Sequence, residues 1–496
     1  MANIEVTSPW DGSRVGEVPA TDPRTVPVVA ERLRAEQPAW ARTPATDRAA
    51  WVSRLRDQVL ADVDSFVETL SRETGKPQAE ARVEVLFATE AMRHLAARSP
   101  RYLAQRPVRS LTTALGVERA TVTPAPYPLV GVISPWNFPF GLAVVDAVPA
   151  LLAGASVLMK PSDLTPLSAT GLVAAWRAIG APDVLDVVVG DAPTGVAVVD
   201  TVDFVAFTGS TGTGRAVGRR AAERLVPVSL ELGGNDAMIV LADANLDHAA
   251  NAAVFGAMCN GGQMCVSTER VYVEDSVHDR FVDLVRDRLR DLGQRDITPL
   301  ASAAQLEVVR RQVVDAERKG AKVERWHDLS SSGTWFPPTL VLDATDDMDC
   351  VREETFGPVM PVLRVGSADE AVERANLSPY GLSATVWTTD PFRAQDVADR
   401  LEVGAVNVNC VFSNLFFFDA PQQGWKSSGL GARFGGAHAV RRYCRDRVVL
   451  HSRHRLRAEP HWLPYSSRTN RLLGTALGVL RHGAVRRLRR RGSVRT

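Results

Sequence analysis

Residues 204–214 read Phe-Val-Ala-Phe-Thr-Gly-Ser-Thr-Gly-Thr-Gly, an apolar run followed by a glycine-rich turn. The run at 204–207 predicts a buried strand, and the residues beyond Gly209 fit the start of a helix. Glycine allows backbone amides to approach a pyrophosphate, and the N-terminus of a helix favours an anion. The spacing is not a strict G-x-G-x-x-G, and a glycine-rich turn between a strand and a helix is often only a turn. The stretch therefore predicts one unit of an α/β sheet and leaves nucleotide binding open.

Short apolar runs alternate with helical patterns on both sides of this stretch. In the first half of the chain they predict strands at 129–133, 156–160, 185–189 and 204–207. Such alternation favours right-handed βαβ units and a parallel sheet with helices on both faces. The pattern restarts after Gly234, with strands predicted near 238–241, 270–273, 339–342, 359–364, 383–388 and 405–408, and helices near 276–292 and 300–319. This restart predicts a second α/β domain.

The first hundred residues differ from this pattern. Apolar positions recur at helical spacing through most of 26–105, and a Gly-Lys-Pro turn at 75–77 interrupts them. Residues 106–128 are extended and bounded by prolines, which predicts a hairpin that projects from the first domain.

The composition is that of an ordinary globular protein, with 45% hydrophobic and 23% charged residues among 496. The length favours two or three domains, and a net charge of +1 gives no indication of a nucleic-acid partner. The N-terminus lacks the basic and apolar regions of a secretory signal, and the longest apolar stretch, 142–159, is interrupted by Asp146, Pro149 and Gly154. Five scattered cysteines form no C-x-x-C pair, which predicts reduced thiols, no metal site and a cytoplasmic location.

The turn GQMC (residues 262–265) follows an Ala- and Asn-rich helical pattern and presents Cys265 among small residues, which we expect to leave its sulfur reachable. A lone cysteine is most often a buried, inert side chain. Upstream, ELGG (residues 231–234) places the carboxylate of Glu231 at the predicted end of a strand. A thiolate nucleophile with a separately placed carboxylate base can form and then hydrolyse a thioester, which is the functional interpretation of this pair.

Three further turns lie beside predicted strands. Asn137, in PWNFP (135–139), could donate an N–H to a developing oxyanion. Lys160 and Asp163, in KPSD (160–163), could hydrogen-bond a ribose, whereas Glu354 and Phe356, in EETFGP (353–358), could contact a second ribose and a planar ring. Each turn taken alone could equally be a solvated loop. We expect all three to share one sheet edge with the glycine-rich turn.

The motifs PWNFP, KPSD, FTGSTGTG, ELGG, GQMC, EETFGP and KSSGLG follow one another along the chain. On their order and spacing, the chain resembles the NAD(P)-dependent aldehyde dehydrogenases over roughly residues 5–450. The resemblance implies an α/β fold with a Rossmann-like cofactor domain, a second α/β catalytic domain and a small β-hairpin oligomerisation element. It assigns 1–105 and 127–233 to the dinucleotide-binding domain, 234–425 to the catalytic domain, and 106–126 and 436–450 to oligomerisation elements of a homodimer or homotetramer. A basic tail, 451–496, lies beyond it.

The resemblance also implies roles for individual residues. Cys265 would attack the aldehyde, Asn137 and the backbone N–H of Cys265 would hold the oxyanion, and Glu231 would activate the water that releases the acid. The residues expected to bind NAD or NADP are Trp136, Lys160, Asp163, Gly209, Ser210, Gly214, Glu354 and Phe356. NAD is expected over NADP, because the Asp163 carboxylate would repel an adenosine 2′-phosphate.

The sequence departs from the family near its C-terminal motifs. Family members often read G-G-x-K where residues 423–426 read Gln-Gly-Trp-Lys, and many have a glutamate near Arg433, so any proton relay through that glutamate is in doubt here. A CoA-acylating semialdehyde dehydrogenase remains an alternative, although such enzymes usually lack the carboxylate of Glu231. A non-catalytic protein would be expected to have lost Cys265, Asn137 or Glu231.

The aldehyde is not identified by these motifs. Four phenylalanines cluster where the family lines its substrate tunnel, which favours an aromatic or medium-chain aldehyde, although some of the rings could belong to the core: Phe412, Phe416, Phe417 and Phe418. Succinate semialdehyde is the second candidate and would require a cation for its distal carboxylate.

The C-terminal tail has a charge of its own. From His451 onward the chain contains 12 Arg and one acidic residue, Glu459, a net charge of +11, so the first 450 residues carry −10. Leucines recur at helical spacing between 471 and 491, which predicts a basic amphipathic helix. Such a helix could contact an anionic membrane, dock on the acidic body of the chain or remain disordered.

Overall fold

The computed structural model describes residues 3–110, 118–327, 332–453 and 462–492, with side chains described up to Arg481 in the last segment. Its strands, in chain order, are β1 (Asn3–Thr7), β2 (Arg14–Pro19), β3 (Arg106–Val108), β4 (Glu118–Pro126), β5 (Leu129–Ile133), β6 (Ser156–Lys160), β7 (Leu185–Val187), β8 (Phe204–Thr208), β9 (Val228–Glu231), β10 (Asp236–Val240), β11 (Thr268–Glu274), β12 (Lys322–Arg325), β13 (Thr339–Leu342), β14 (Val359–Val365), β15 (Tyr380–Gly381), β16 (Ser383–Trp387), β17 (Ala405–Val408), β18 (Pro421–Gln422), β19 (Trp425–Lys426), β20 (Gly429–Leu430), β21 (Arg433–Phe434) and β22 (Cys444–Ser452). Its α-helices are α1 (Val26–Arg42), α2 (Ala45–Ala61), α3 (Val63–Thr74), α4 (Gln78–Tyr102), α5 (Gly141–Ala153), α6 (Leu167–Ala178), α7 (Ala192–Thr201), α8 (Thr211–Glu223), α9 (Leu246–Met258), α10 (Asp275–Asp291), α11 (Ala303–Arg318), α12 (Asp349–Arg352), α13 (Ala368–Asn376), α14 (Pro391–Arg400), α15 (Ala437–Arg441) and α16 (Ser467–Gly492).

The first large sheet has the order β20-β9-β8-β5-β6-β7. All of its neighbouring strands are parallel except β20, which pairs antiparallel with β9. The predicted strands coincide with β5 and β6 and differ from β7 and β8 by one or two residues at the carboxyl end. From β5 the chain proceeds to β6 and β7 on one side and returns to β8 and β9 on the other. The carboxyl ends of β5 and β8 therefore flank the switch point where α/β sheets bind ligands.

The second large sheet has the order β12-β13-β14-β11-β10-β16-β17. Its strands are parallel except for the edge strand β12, which the sequence did not predict. The strands predicted after Gly234 all occur near their expected positions, and the two predicted helices correspond to α10 and α11. The fold is therefore the predicted α/β fold with two mainly parallel sheets.

Both large sheets belong to one compact unit, Met1–Ala104 with Pro124–Asp446. A second unit consists of Gln105–Thr123 and Arg447–Thr496. The predicted hairpin is present as β3 and β4, which form a three-stranded sheet with β22 in the order β22-β4-β3. Residues 429–430, which no expected domain contained, supply β20 to the first sheet, and the range 436–450 contains α15 before β22.

Helix α5 lies at the centre of the first unit and is buried on almost every side. A helix that is apolar all round is a core helix, which explains why the apolar stretch at 142–159 is not a membrane span. Asp146 is its one ionisable residue, and the side chain is buried. A buried charge requires partners, and Arg433 and Arg442 supply them.

Candidate active site

Two sheet edges meet at the predicted site. The turns PWNFP, KPSD and FTGSTGTG follow the carboxyl ends of β5, β6 and β8, as predicted. Cys265 and Glu354 instead precede β11 and β14, at the amino edge of the second sheet. The expectation that EETFGP shares the edge of the first sheet is therefore wrong. The two edges face each other, since the rings of Trp136 and Phe356 pack edge to face with centroids 5.4 Å apart.

The cysteine lies on a tight turn just before β11. Helix α9 ends at Met258, a single 3₁₀ turn follows over Cys259–Gly262, and the Ser267 N–H donates to the Met264 carbonyl at 3.0 Å. Gly262 has a φ of +71°, and a Cβ there would overlap the carbonyl oxygen of Gly357. Gly262 is therefore needed for close backbone packing, and the Cys265 side chain stays partly exposed.

An apolar cluster surrounds the half-buried Cys265 side chain. We call it the Cys265 cluster; it consists of Phe138, Cys259, Met264, Cys265, Val266, Leu382, Val411, Phe412 and Leu415. Of the four phenylalanines considered as tunnel lining, only Phe412 belongs to it. Phe418 packs instead in a separate core cluster with Phe434, and Phe416 and Phe417 are exposed. The alternative that some of these rings are core is therefore correct for Phe418.

Asn137 is fixed beside the cysteine turn. Its side-chain Nδ2 donates to the Gln263 carbonyl at 2.8 Å, and its own carbonyl accepts from the Asn260 side chain at 3.2 Å. Gln263 is anchored in turn, because its Nε2 donates to the carbonyls of Asn260 and Pro299 and its Oε1 accepts from the Ala301 N–H. The carboxamide of Asn137 therefore contacts the backbone two positions before Cys265 and has little freedom to rotate.

A buried ion pair of Lys76 and Glu84 holds the backbone of Asn137, and the sequence analysis missed both residues. The Lys76 Nζ lies 2.6 Å from the Glu84 Oε2 and donates to the Asn137 carbonyl at 2.9 Å. The Glu84 Oε1 accepts from the N–H groups of Phe140 and Gly141, where α5 begins. Both side chains are almost fully buried. The Gly-Lys-Pro turn predicted only a break between helices, and nothing in the sequence indicated that its lysine points inward.

We expect Lys76→Met to destabilise the protein by about 3–5 kcal/mol, since it leaves the Glu84 carboxylate buried without its partner. The measurement is the midpoint of the first transition in urea unfolding. Lys322→Met is the matched control, because Lys322 pairs with Glu324 on the surface, where an ion pair contributes about 0–1 kcal/mol. Equal effects of the two substitutions would contradict a stabilising role for the buried pair.

Glu231 ends β9 and is buried, and its Oε1 has no hydrogen-bond partner. Burial raises its pKa to about 7, against the opposing influence of the Arg433 and Arg442 guanidinium groups. A buried carboxylate with an unused acceptor and a pKa near neutrality is suited to take a proton from a reacting molecule. The carboxylate at a strand end is thus where the sequence predicted it.

A buried ion cluster lies behind Glu231. Arg433 contacts the Asp146 carboxylate at 2.7 Å and donates to the Thr208 hydroxyl at 2.6 Å, and Arg442 also pairs with Asp146. Burial opposes ionisation of Asp146, but the two arginines hold its pKa below its usual range. The structure therefore explains the departure at Arg433: the residue belongs to a charge-compensated cluster rather than to a carboxylate relay. Asp146 in an otherwise apolar helix was the one sequence signal for it.

The Cys265 thiol lies near carboxylates that oppose its ionisation. Burial raises its pKa to about 12, and the carboxylates of Asp236 and Glu354 act in the same direction. Glu354 accepts the Gly234 N–H at 2.9 Å, and burial raises the pKa of Glu354 to about 7. A Cβ on Gly234 would overlap the Cys265 carbonyl oxygen. Gly234 therefore allows the ELGG and GQMC turns to touch, which brings Glu231 and Cys265 into one site.

Phe356 is held in place by a carboxylate that the sequence analysis did not single out. Glu269 is buried, and its two oxygens accept the N–H groups of Thr355 and Phe356 at 2.9 and 2.8 Å. Phe356 has a φ of +51°, an uncommon conformation for an aromatic residue that these bonds stabilise. Glu269 thus fixes the ring that packs against Trp136.

The remaining predicted residues line the switch point of the first sheet. Ser210 is the N-cap of α8 and accepts from the Thr213 N–H at 3.3 Å, and the helix N-terminus is exposed at Gly212. Gly209 sits against the Phe207 ring, which would overlap a Cβ there. Gly214 is buried and lies against the Leu232 side chain, which would overlap a Cβ there, so the residue allows close helix-to-sheet packing.

The KPSD turn contains one buried charged side chain, Lys160, and one exposed charged side chain, Asp163. Lys160 ends β6 with a buried side chain, and burial lowers its pKa, while nearby Asp163 and Asp191 act in the opposite direction. Asp163 itself is exposed. Together with the open N-terminus of α8 and the Trp136–Phe356 ring pair, these residues fit a dinucleotide. The two sheets and this cleft define a dinucleotide-binding α/β enzyme.

Comparison with known proteins identifies the family. The profile of the aldehyde dehydrogenase family matches residues 1–449. The chain therefore belongs to the aldehyde dehydrogenase family. Similar proteins are named as NADP-dependent or, in the case of a solved structure from Sinorhizobium meliloti, NAD-dependent, and this chain is an NAD(P)-dependent oxidoreductase that acts on aldehydes.

Individual relatives are similar over most of their length. A protein of Methylomonas sp named 4,4'-diapolycopene aldehyde oxidase is 37% identical over 475 residues, which cover 94% of this chain and 89% of the relative. A protein of Mycolicibacterium smegmatis provisionally named succinate-semialdehyde dehydrogenase NADP(+) is 36% identical over 456 residues, 90% of this chain and 88% of the relative. The solved NADP complex of NADP-dependent glyceraldehyde-3-phosphate dehydrogenase from Bacillus halodurans C-125 superposes with a TM-score of 0.86 at 31% identity, and covers 91% of this chain and 96% of that one.

Proposed function

We propose that this protein oxidises an apolar aldehyde to its carboxylic acid through a thioester on Cys265. The observation that carries the proposal is the convergence, beside one cysteine, of a fixed carboxamide at Asn137 and an unpartnered buried carboxylate at Glu231. A structural cysteine would not require either group. The three residues have the types and positions that acyl transfer through a thiol requires.

In the first step, the sulfur of Cys265 bonds to the aldehyde carbon and the thiol proton is released to solvent. The carbonyl oxygen becomes an oxyanion, which the Asn137 Nδ2 and the Cys265 backbone N–H stabilise by hydrogen bonds. Asn137 needs no reorganisation, because Lys76, Asn260 and Gln263 already hold it. The product of this step is a thiohemiacetal on Cys265.

In the second step, the carbon loses hydride and the thiohemiacetal becomes a thioester. The bound nicotinamide cofactor supplies the hydride acceptor. Phe356 and Trp136 form the ring pair that would flank the nicotinamide. Glu354 and Lys160 are the groups proposed to hold the two riboses of the dinucleotide. Ser210 and Gly209 frame the helix N-terminus proposed to hold the pyrophosphate.

In the third step, Glu231 takes a proton from water while the water oxygen attacks the thioester carbon. The carbon–sulfur bond breaks, the carboxylic acid leaves and the Cys265 thiolate is regenerated, after which Glu231 releases its proton to solvent. The free Oε1 of Glu231 supports this role. It also disfavours a CoA-acylating reaction, in which a thiol rather than water accepts the acyl group. Addition of CoA to the assay with detection of an acyl-CoA product distinguishes the two.

The Cys265 cluster supports an apolar substrate chain. It contains the rings of Phe138 and Phe412, and the Lys76 Nζ, 4.0 Å from the centroid of the Phe138 ring, is already paired with Glu84. Of the relatives, one is named for 4,4'-diapolycopene aldehyde and another for succinate semialdehyde. The cluster fits an uncharged hydrophobic chain better than a distal carboxylate. A panel of aromatic, aliphatic and semialdehyde substrates, followed by reduced-cofactor absorbance, tests this; a highest kcat/KM for succinate semialdehyde would contradict it.

Cofactor preference is expected to lean towards NAD because of Asp163. We expect Asp163→Ser to raise the kcat/KM ratio of NADP to NAD about tenfold, equivalent to about 1.4 kcal/mol of relieved charge repulsion. Glu223→Ser is the control, since Glu223 is an exposed carboxylate at the far end of α8. A wild-type protein that already prefers NADP, or a ratio that the substitution does not move, would contradict the role of Asp163.

We also retain the proposal of a homodimer or homotetramer. The sheet of β3, β4 and β22 leaves Val108, Val448 and Leu450 exposed. These apolar side chains support a role for the sheet in assembly. Light scattering coupled to size exclusion gives the mass; a monomer at micromolar concentration would contradict the proposal.

A further inference from the structure

Helix α16 carries an apolar face that its own unit does not cover. The exposed fractions are 63% for Leu472, 49% for Leu473, 67% for Leu477 and 62% for Leu480. With 3.6 residues per turn, these four leucines fall within roughly 140° of the helix circumference. This is the width of an apolar stripe that a helix normally buries.

The charges of the same segment are almost all positive. From His451 onward there are 12 Arg and one Glu. Arg468, Arg471 and Arg481 lie outside the apolar stripe, on its flanks and on the opposite side of the helix. A surface that covers the stripe must therefore be apolar where it meets the leucines and negatively charged where it meets the arginines.

Three surfaces could cover the stripe, and one meets both requirements. A second copy of α16 would cover the leucines but would bring two strongly cationic tails together. The acidic body of this chain would balance the charge, but folded proteins rarely expose one contiguous apolar patch large enough to cover four leucines. An anionic lipid bilayer offers phosphate groups for the arginines and acyl chains for the leucines.

We propose that α16 binds the surface of an anionic membrane, with its axis in the plane of the interface. Within the described ranges, no helix has the length and hydropathy to cross a bilayer, so the contact is peripheral. Trp462 and Tyr465 lie just before the helix with exposed fractions of 56% and 70%, and such side chains favour the interface between water and lipid. The proposal stands independently of the reaction at Cys265.

Glycines within the helix add a coupling between binding and folding. Gly474 and Gly478 weaken the helix in water relative to alanine. A bilayer that takes up the leucines stabilises the helix against this cost. We therefore expect the helical content of the intact chain to rise when anionic vesicles are added.

Co-sedimentation with vesicles tests the proposal on the intact chain. The vesicles are phosphatidylglycerol with phosphatidylcholine, or phosphatidylcholine alone, at low salt. The compared proteins are the intact chain, a chain truncated after Ser452, which keeps β22 whole, and the double variant Leu473→Ser with Leu477→Ser. Leu377→Ser is the matched control, since Leu377 is a 71% exposed leucine elsewhere on the protein. Urea unfolding midpoints verify that each protein is folded.

We expect the intact chain and Leu377→Ser to bind anionic vesicles at least about tenfold more tightly than the truncated chain. The double variant should lose about tenfold or more of this affinity while it keeps every charge. Binding should weaken at high salt and be weak on phosphatidylcholine alone. The proposal is overturned if the intact chain stays in the supernatant, if truncation changes nothing, or if the leucine substitutions leave vesicle binding intact.

Discussion

Cys265→Ala is expected to abolish aldehyde oxidation, with a loss of at least about 10⁴-fold in kcat. Without the sulfur no thiohemiacetal forms, so hydride cannot leave from a covalent intermediate and no thioester follows. The remaining groups still bind the substrate and cofactor, but binding alone does not lower the barrier to hydride loss from a free aldehyde. The measurement is initial reduced-cofactor production at saturating aldehyde.

Cys259→Ala is the matched control, since Cys259 belongs to the same Cys265 cluster only six positions earlier. Burial raises the pKa of Cys259 well above its usual value, and the nearby Glu80 carboxylate acts in the same direction. In the proposed mechanism Cys259 neither bonds to the aldehyde nor holds the oxyanion, so the substitution should retain most of the activity. Substantial activity in Cys265→Ala, or its loss only in Cys259→Ala, would place the nucleophile elsewhere.

A protein with Cys265 replaced should still bind its cofactor. None of the groups proposed to hold the dinucleotide depends on the sulfur, and the turn is fixed by Gln263 and Gly262 rather than by Cys265. Quenching of tryptophan fluorescence by added cofactor should match the wild type. Loss of both activity and cofactor binding would instead indicate a collapsed turn and would leave the chemistry to be tested by Cys265→Ser.

The residues that perform local tasks could be predicted from the sequence. Glu231 ends a strand, Ser210 caps a helix and Cys265 occupies a turn, and each of these positions follows from periodicity and turn chemistry within a short window. Most strands of both sheets were predictable for the same reason, because parallel strands with covered faces are continuous apolar runs. The antiparallel edge strands β12 and β20 were not predicted.

The residues that hold distant segments together could not be predicted. Lys76 and Asn137 are far apart in sequence, and their hydrogen bond depends on how α4 packs against α5. Likewise, Glu269 reaches the backbone of Phe356 only because β11 and β14 are neighbours in the second sheet. A buried polar group requires a hydrogen-bond or ion-pair partner, and which groups are buried depends on the whole fold.

Phe412 and Phe418 show the same limit within one loop. Both are apolar and close in sequence, yet Phe412 joins the Cys265 cluster and Phe418 packs with Phe434 in the core. Phe412 begins a 3₁₀ turn with a φ of +62°, and the change of direction separates the two rings. Periodicity cannot assign faces across such a turn, so the sequence could not separate a ring beside Cys265 from a ring of the core.

Glu231→Gln is expected to separate the two halves of the reaction. It should give a burst of about one reduced cofactor per active site and then a turnover slowed by about 10²–10⁴, the usual cost of losing a general base. The burst should persist because the Glu231 charge raises the pKa of the Cys265 thiol, so its removal does not disfavour the thiolate. Rapid mixing measures the burst, and mass spectrometry of the stalled protein should show an acyl group on Cys265.

Glu73→Gln is the matched control for this substitution. Burial raises the pKa of Glu73 to about 7, as it does for Glu231, but Glu73 accepts the N–H groups of Leu167 and Ser168 at the start of α6, away from the cysteine. Its substitution should therefore affect stability and leave the ratio of burst to steady-state rate unchanged. A stall in Glu73→Gln would show that a general loss of structure, rather than a lost base, slows the second half.

The pH dependence of acyl-enzyme hydrolysis provides the decisive measurement. Glu231 acts as a base only when ionised, and burial places its pKa at about 7, with Arg433 and Arg442 opposing a larger rise and Asp146 adding to it. The hydrolysis rate of the wild type should therefore fall about tenfold per unit as the pH decreases below about 7 and level off above it. The same rate in Glu231→Gln should be low and flat across this range. A wild-type profile without this limb, or a variant that retains it, would assign the base to another group.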